Sequence, residues 1–254
     1  MNGQFNPFSL KGKTILVTGA SSGIGRATAV VCSKMGADVV ITGRNEGRLA
    51  ETSALLTGDS HIGISADLTD TVQIDNMVSR LPELNGVVHC AGTGDRSLLR
   101  AVKEQTMSRV MRTNFESPVL LQKALLKNKR LLEGSSTVFM ASRAPFAPSI
   151  GNGIYAASKG ALIAYAKVLG LELAPRLMRV NCICPAMVWT ELIERDAERT
   201  GTDYHEVEKS YPLGRYGQPE DVANLAVYLL SDASSWMTGS CIDITGGGEF
   251  TLKS

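Results

Sequence analysis

Tyr155 and Lys159 stand four residues apart at the head of an apolar stretch that reads as a helix, so phenol and ammonium share one face. A phenol ordinarily ionises at about pH 10, and a nearby ammonium favours the phenolate. Such a pair suits general-base chemistry on an alcohol or general-acid chemistry on a carbonyl. Ser142 follows directly on the apolar run Thr137–Ala141. A hydroxyl there can hydrogen-bond a substrate oxygen as charge develops on it. Upstream, Thr18-Gly19-Ala20-Ser21-Ser22-Gly23-Ile24-Gly25 joins an apolar run to an apolar helix. Gly19 allows a tight turn, Gly23 lets main-chain N–H groups approach a pyrophosphate, and Gly25 permits close helix–strand packing. Anions then sit at the helix N-terminus.

These residues need a frame. Short β-branched runs at Thr14–Thr18, Asp38–Thr42, Ile62–Ser65, Gly86–His89, Thr137–Ala141, Arg179–Cys184 and Cys241–Ile244 read as strands covered on both faces. Helical patterns alternate with them at Gly23–Met35, Glu46–Leu56, Val72–Leu81, Met107–Lys127, Tyr155–Leu173 and Pro219–Ser231. The alternation predicts an α/β fold: a Rossmann-like, doubly wound, parallel seven-stranded sheet with helices on both faces. Residues 185–218 break the rhythm, with short helical pieces near Thr190–Arg199 and Asp203–Lys209, and read as a substrate loop. The 254 residues are one domain with that excursion.

Lys and Arg total 26 against 25 Asp and Glu, which argues against nucleic acid or an anionic membrane as the main partner. The five cysteines, Cys32, Cys90, Cys182, Cys184 and Cys241, suggest buried thiols rather than a disulfide framework. His61, His89 and His205 build no metal-ligand spacing, so no metal is expected. The stretch Met1 to Gly12 lacks a signal-peptide pattern. No apolar stretch approaches the roughly 18 residues of a membrane span. A cytoplasmic location is expected.

The chain resembles the short-chain dehydrogenase/reductase family from about Leu10 to about Gly247. The glycine turn matches the family's T-G-x-x-x-G-x-G, and Asn114, Ser142, Tyr155 and Lys159 match its N…S…Y-x-x-x-K active site. The resemblance implies hydride transfer between a nicotinamide and a carbonyl or secondary alcohol, without a metal. It makes Tyr155 the acid/base, lets Lys159 also hold the nicotinamide ribose, and gives Asn114 a proton-relay water. The positive nicotinamide of the oxidised cofactor would join Lys159 in lowering the Tyr155 pKa. Asn114 and the following Pro118 also fit a plain helix kink.

Cofactor contacts are expected from Gly19, Ser21, Ser22, Gly23, Ile24, Gly25, Arg44, Asp67, Leu68, Ala91, Gly92, Tyr155, Lys159, Pro185, Val188 and Thr190. Asp67 fits a helix N-cap nearly as well. After the second strand, Gly43 stands where NAD-specific relatives carry an acid, and Arg44 follows. An arginine can pair with a 2′-phosphate, so NADP(H) is favoured over NAD(H). Ser22 is not basic, which removes a second phosphate contact common in NADP-using relatives. The family's N-N-A-G reads His89-Cys90-Ala91-Gly92, which puts the usual Asn brace at Cys90 in doubt. Its P-G reads Pro185-Ala186, and its late V-D-G-G reads Ile244-Thr245-Gly246-Gly247.

Met187 and Trp189 suggest an apolar substrate wall. Arg143 fits a substrate anion or a plain surface charge. The residues do not choose among acyl thioester, sugar, steroid and small ketone; a 3-oxoacyl thioester reductase is one reading that the resemblance offers. The alternatives are an NAD(H)-dependent alcohol, sugar or steroid dehydrogenase and a catalytically silent NADP(H)-sensing protein. The resemblance also implies a homotetramer, with the small residues Ala156, Ala157, Gly160, Ala161 and Ala164 permitting close helix approach.

Overall fold

A computed structural model describes residues 5–201 and 203–248, so part of the stretch Met1–Gly12 lies outside the described residues. Its seven strands are β1 (Thr14–Thr18), β2 (Asp38–Gly43), β3 (Ile62–Ser65), β4 (Leu84–His89), β5 (Leu131–Met140), β6 (Arg179–Pro185) and β7 (Cys241–Ile244). All pair in parallel, in the order β3-β2-β1-β4-β5-β6-β7. The order reverses between β1 and β4, and at such a switch point a crevice opens beyond the carboxyl ends of the strands.

Side chains alternate across the sheet and build two core layers. On one face Leu16, Val87, Phe139 and Val180 meet α3 (Thr71–Ser79), α5 (Ser117–Lys127) and α6 (Gly153–Leu173). On the other, Ile15, Val17, Ile41 and Ile183 meet α1 (Gly23–Lys34), α2 (Glu46–Ser53) and α9 (Pro219–Leu230). The expected seven strands and doubly wound architecture are present.

Three features depart from the sequence expectation by more than a residue or two at an element's end. β5 begins at Leu131 rather than Thr137, because Leu131 pairs with Leu84 before the register jumps to Ser136 opposite Gly86. Gly134, at φ 75°, takes up the extra residues in a bulge. The single helix expected over Met107–Lys127 is instead α4 (Glu104–Met111), a π turn over Arg112–Glu116, and α5. Pro118 has no N–H to give the Asn114 carbonyl, so the regular ladder widens there. Finally, the helix from Gly153 to Arg176 is long and apolar enough to cross a bilayer by length and composition, contrary to the expectation that no stretch approaches that limit. Leu, Ile, Val and Ala supply that hydropathy, and Leu162, Ile163, Ala166, Leu169 and Leu173 bury one face in the core.

The 185–218 segment, the expected substrate loop, carries α7 (Glu191–Thr200) and α8 (Tyr204–Glu208). A parallel bridge between Val188 and Gly217 ties its two ends together.

Candidate active site

The first helical turn of α6 carries Tyr155, and the next carries Lys159. Ser142 lies two residues beyond β5 and hydrogen-bonds the Tyr155 phenol. The Ser142 Oγ is itself oriented by the Ala144 N–H at 3.1 Å. Lys159 is buried; its Nζ lies 5.8 Å from the Tyr155 ring centroid and donates to the Met140 carbonyl at 2.7 Å. Burial lowers the Lys159 pKa to about 8. The expectation for Tyr155 is corrected: burial raises its pKa, and the Ser142 bond only partly offsets that. Desolvation of the phenolate outweighs an ammonium that stands beyond hydrogen-bond reach.

Asn114, in the π turn, is 1 % exposed. Its Oδ1 accepts from the Thr93 N–H at 2.8 Å, and its Nδ2 donates to the Thr93 carbonyl at 2.9 Å and to Ser158 Oγ at 3.0 Å. Ser158 Oγ donates in turn to the Tyr155 carbonyl at 2.7 Å. The side chain therefore clamps the segment after β4 to the Tyr155 helix. Gly92 runs between them: a Cβ there would come 3.4 Å from Asn114 Oδ1 and 3.6 Å from Lys159 Nζ. The four residues of the expected catalytic set thus meet at the carboxyl edge of β4 and β5.

The glycine turn sits at the end of β1, against β4. A Cβ on Gly19, at φ 64°, would come 2.8 Å from the Ala91 main chain. One on Gly25 would collide with the Gly19 carbonyl. The turn is thus packed to backbone contact, leaving the amides at the head of α1 to face a ligand. Ser22 holds the N-cap position without a side-chain cap bond, which leaves its hydroxyl for that ligand. Arg26 donates to the Ser21 carbonyl at 2.7 Å and fixes the turn, while Ile24 packs into the core. A glycine cradle of this shape fits a dinucleotide pyrophosphate.

Gly43 lies against Ser21, whose Oγ is 3.3 Å from where a Cβ would stand. Arg44 is exposed, and no described residue pairs with its guanidinium. Asp67 accepts from the Thr69 N–H and Oγ1 at 2.9 and 2.8 Å, so it closes a local turn. The helix-cap alternative falls to Asp70, which caps α3. Leu68 is buried in the core and offers a ligand only its main chain.

The doubt at Cys90 also resolves. The Ala91 N–H donates to Thr18 Oγ1 at 3.1 Å and braces β1 against the segment after β4 without an asparagine. Burial pushes the Cys90 thiol up to about 12 and His89 down to about 4, so neither is poised for chemistry. His89 stacks on Phe139 and meets Gln122 Oε1 at 3.0 Å.

Of the expected substrate residues, Arg143 pairs with Asp243 at 2.8 Å and lies over the Phe146 ring, so its charge is already met. Pro185 ends β6, Val188 is buried, and Met187 and Trp189 bond through their main chains to Gly217. The Trp189 indole donates to Glu208 Oε2 at 2.7 Å. Thr190 heads α7 above the glycine turn, its Cγ2 3.2 Å from where a Gly23 Cβ would be. Sequence reasoning missed Thr93, Ser158, Glu208 and the rings of Tyr204, Tyr211 and Tyr216. No periodic spacing links them, and only the folding of the 185–218 segment brings the rings together.

A family model described as enoyl-(acyl carrier protein) reductase matches residues 19–249. The 3-oxoacyl-(acyl-carrier-protein) reductase of Rickettsia felis is 32% identical over 238 residues, spanning 94% of this chain and 97% of that protein. An NAD-dependent glycerol dehydrogenase of Listeria innocua is 31% identical over 251 residues, spanning 97% and 96%. Among solved structures, an actinorhodin polyketide ketoreductase with NADPH superposes with a TM-score of 0.86 at 26% identity, covering 97% of this chain and 99% of that one.

Proposed function

The chain belongs to the short-chain dehydrogenase/reductase family, and from that premise we propose that it reduces a 3-oxoacyl thioester with NADP(H), using Tyr155 as general acid. The observation that carries this reading is the Tyr155–Ser142 hydrogen bond with the buried Lys159 ammonium beside it. The nicotinamide supplies a hydride donor or acceptor when bound. Ser142 donates to the carbonyl oxygen as it gains charge, and Tyr155 delivers the proton. A phenol held protonated by burial is the correct form for reduction. Lys159 holds the ribose beside Gly92 and offsets the phenolate left behind. The side-chain amide of Asn114 is committed to Thr93 and Ser158. A relay water is therefore assigned to its main-chain carbonyl, which Pro118 cannot occupy.

NADP(H) is favoured because Arg44 is uncommitted where an acid would select NAD(H). The glycerol dehydrogenase relative, which carries NAD in its name, keeps an NAD(H)-dependent alcohol dehydrogenase as the second reading. Met187 and Trp189 form the substrate wall. Cytoplasmic placement and a homotetramer built on α6 complete the proposal. Ala157, Ala164, Val168 and Leu171 line one exposed face of that helix.

The test is nicotinamide absorbance with 3-oxoacyl thioesters, simple ketones and polyols, against both cofactors. Thioester reduction with NADPH is expected, and a clear NADH preference overturns the cofactor assignment. Tyr155→Phe should cost about a thousandfold in turnover while cofactor still binds. Undiminished turnover in that variant overturns the mechanism.

A further inference from the structure

We propose that Glu208 is a positioning residue whose carboxylate, on helix α8, sets the placement of the Met187–Thr190 segment. The inference rests on the reading above, which puts that segment against nicotinamide and substrate. Glu208 Oε2 accepts from the Trp189 indole N–H at 2.7 Å and from the Tyr216 main-chain N–H at 3.3 Å. Its Oε1 meets His205 Nδ1 at 3.2 Å. The side chain is 18 % exposed on a helix whose other acid, Glu206, is 66 % exposed. It is therefore turned inward, and the Trp189 and Tyr216 donors lie outside its own helix.

Those donors belong to the ends of the 185–218 segment. The Trp189 N–H donates to the Gly217 carbonyl at 2.9 Å, and the Gly217 N–H donates to the Met187 carbonyl at 3.0 Å. One carboxylate thus joins both strands of the Val188–Gly217 bridge. Rings pack around the junction. His205 lies 4.7 Å from Trp189 between centroids, Tyr216 lies 5.4 Å from Trp189, and Tyr211 lies 4.9 Å from Tyr216. Tyr204 lies 6.4 Å from Tyr216, and its hydroxyl accepts from Arg96 at 3.2 Å, which ties the 185–218 segment to the loop after β4.

A ring cluster is held by apolar packing and has many near-equal arrangements. A charge-assisted hydrogen bond is short and directional, and it selects one of them. Without the carboxylate, the partly buried indole N–H has no acceptor and must rotate toward water. Val188 and Thr190 flank that indole, so they move with it.

Trp236 is 99 % exposed, so Trp236→Phe leaves Trp189 as the sole tryptophan emitter. In that background Glu208→Ala should raise acrylamide quenching of Trp189 at least about twofold and lower kcat/KM about tenfold. Glu208→Gln keeps one acceptor oxygen and should recover most of both losses. With Trp189→Phe, which removes the N–H but keeps a ring, Glu208→Ala should cost at least about threefold less. Unchanged quenching, a Gln variant as impaired as Ala, or fully additive losses overturn the proposal. A Trp236→Phe protein inert toward every carbonyl and alcohol would instead overturn the reductase reading, and the quenching comparison still decides the Glu208 contact.

Discussion

At Tyr155 burial raises the phenol pKa and Ser142 lowers it, and burial wins. The sequence revealed which groups meet here, because helical spacing and the motif fix that. It did not reveal the sign of the shift. The sign depends on how much surrounding chain excludes water, and β5, the π turn and the 185–218 segment are remote in sequence. Lys159 shows the same division. Its place was legible, but its depressed pKa was not, because the burial that lowers it is built by other elements, and the nearby thiols only oppose it. The pKa of about 8 has a direct consequence. The ammonium persists below that pH and is lost above it. Reduction measured as kcat/KM should therefore be level below about pH 8 and fall above it. Lys159→Arg, whose guanidinium stays charged, should push the fall upward wherever activity survives. A fall at an unchanged pH in that variant would assign the titration to another group.

Among the elements, the strands were the most legible, since runs such as Thr14–Thr18 and Asp38–Gly43 are apolar on both faces. The first part of β5 was hidden because Glu133-Gly134-Ser135-Ser136 is polar and bulged. In the 185–218 segment the short helical pieces near Thr190–Arg199 and Asp203–Lys209 were legible and fold as α7 and α8, but the ring cluster follows no period. The glycine turn is the element where sequence and structure agree in most detail. Gly25 permits a helix–strand approach so close that a Cβ would strike the Gly19 carbonyl. Gly25→Ala should consequently lose cofactor binding in a titration or fail to fold by circular dichroism. A folded variant with undiminished cofactor affinity would show that the turn has slack.

For the molecule as a whole, His89 should make stability acid-sensitive between about pH 6.5 and about 4. Its pKa falls from 6.5 to about 4 through burial, so the folded chain refuses a proton that the unfolded chain accepts. Stability tied to neutral His89 is complete above about pH 6.5 and declines as pH drops toward about 4, by up to about 3 kcal/mol. Urea melts across that range should show the decline, and His89→Gln should flatten it. An equally steep decline in that variant would place the titration elsewhere. A last consequence concerns the sequence of events in turnover. Thr190 lies over the glycine turn, and the same short segment carries the proposed substrate wall. A dinucleotide along that turn is roofed by residues that the carbonyl compound must also meet. The kinetic mechanism should therefore be compulsory-order, with the dinucleotide first on and last off. Product inhibition should be competitive only between the oxidised and reduced dinucleotides. Competitive inhibition between alcohol and ketone would mean that the roof opens independently of what lies beneath it.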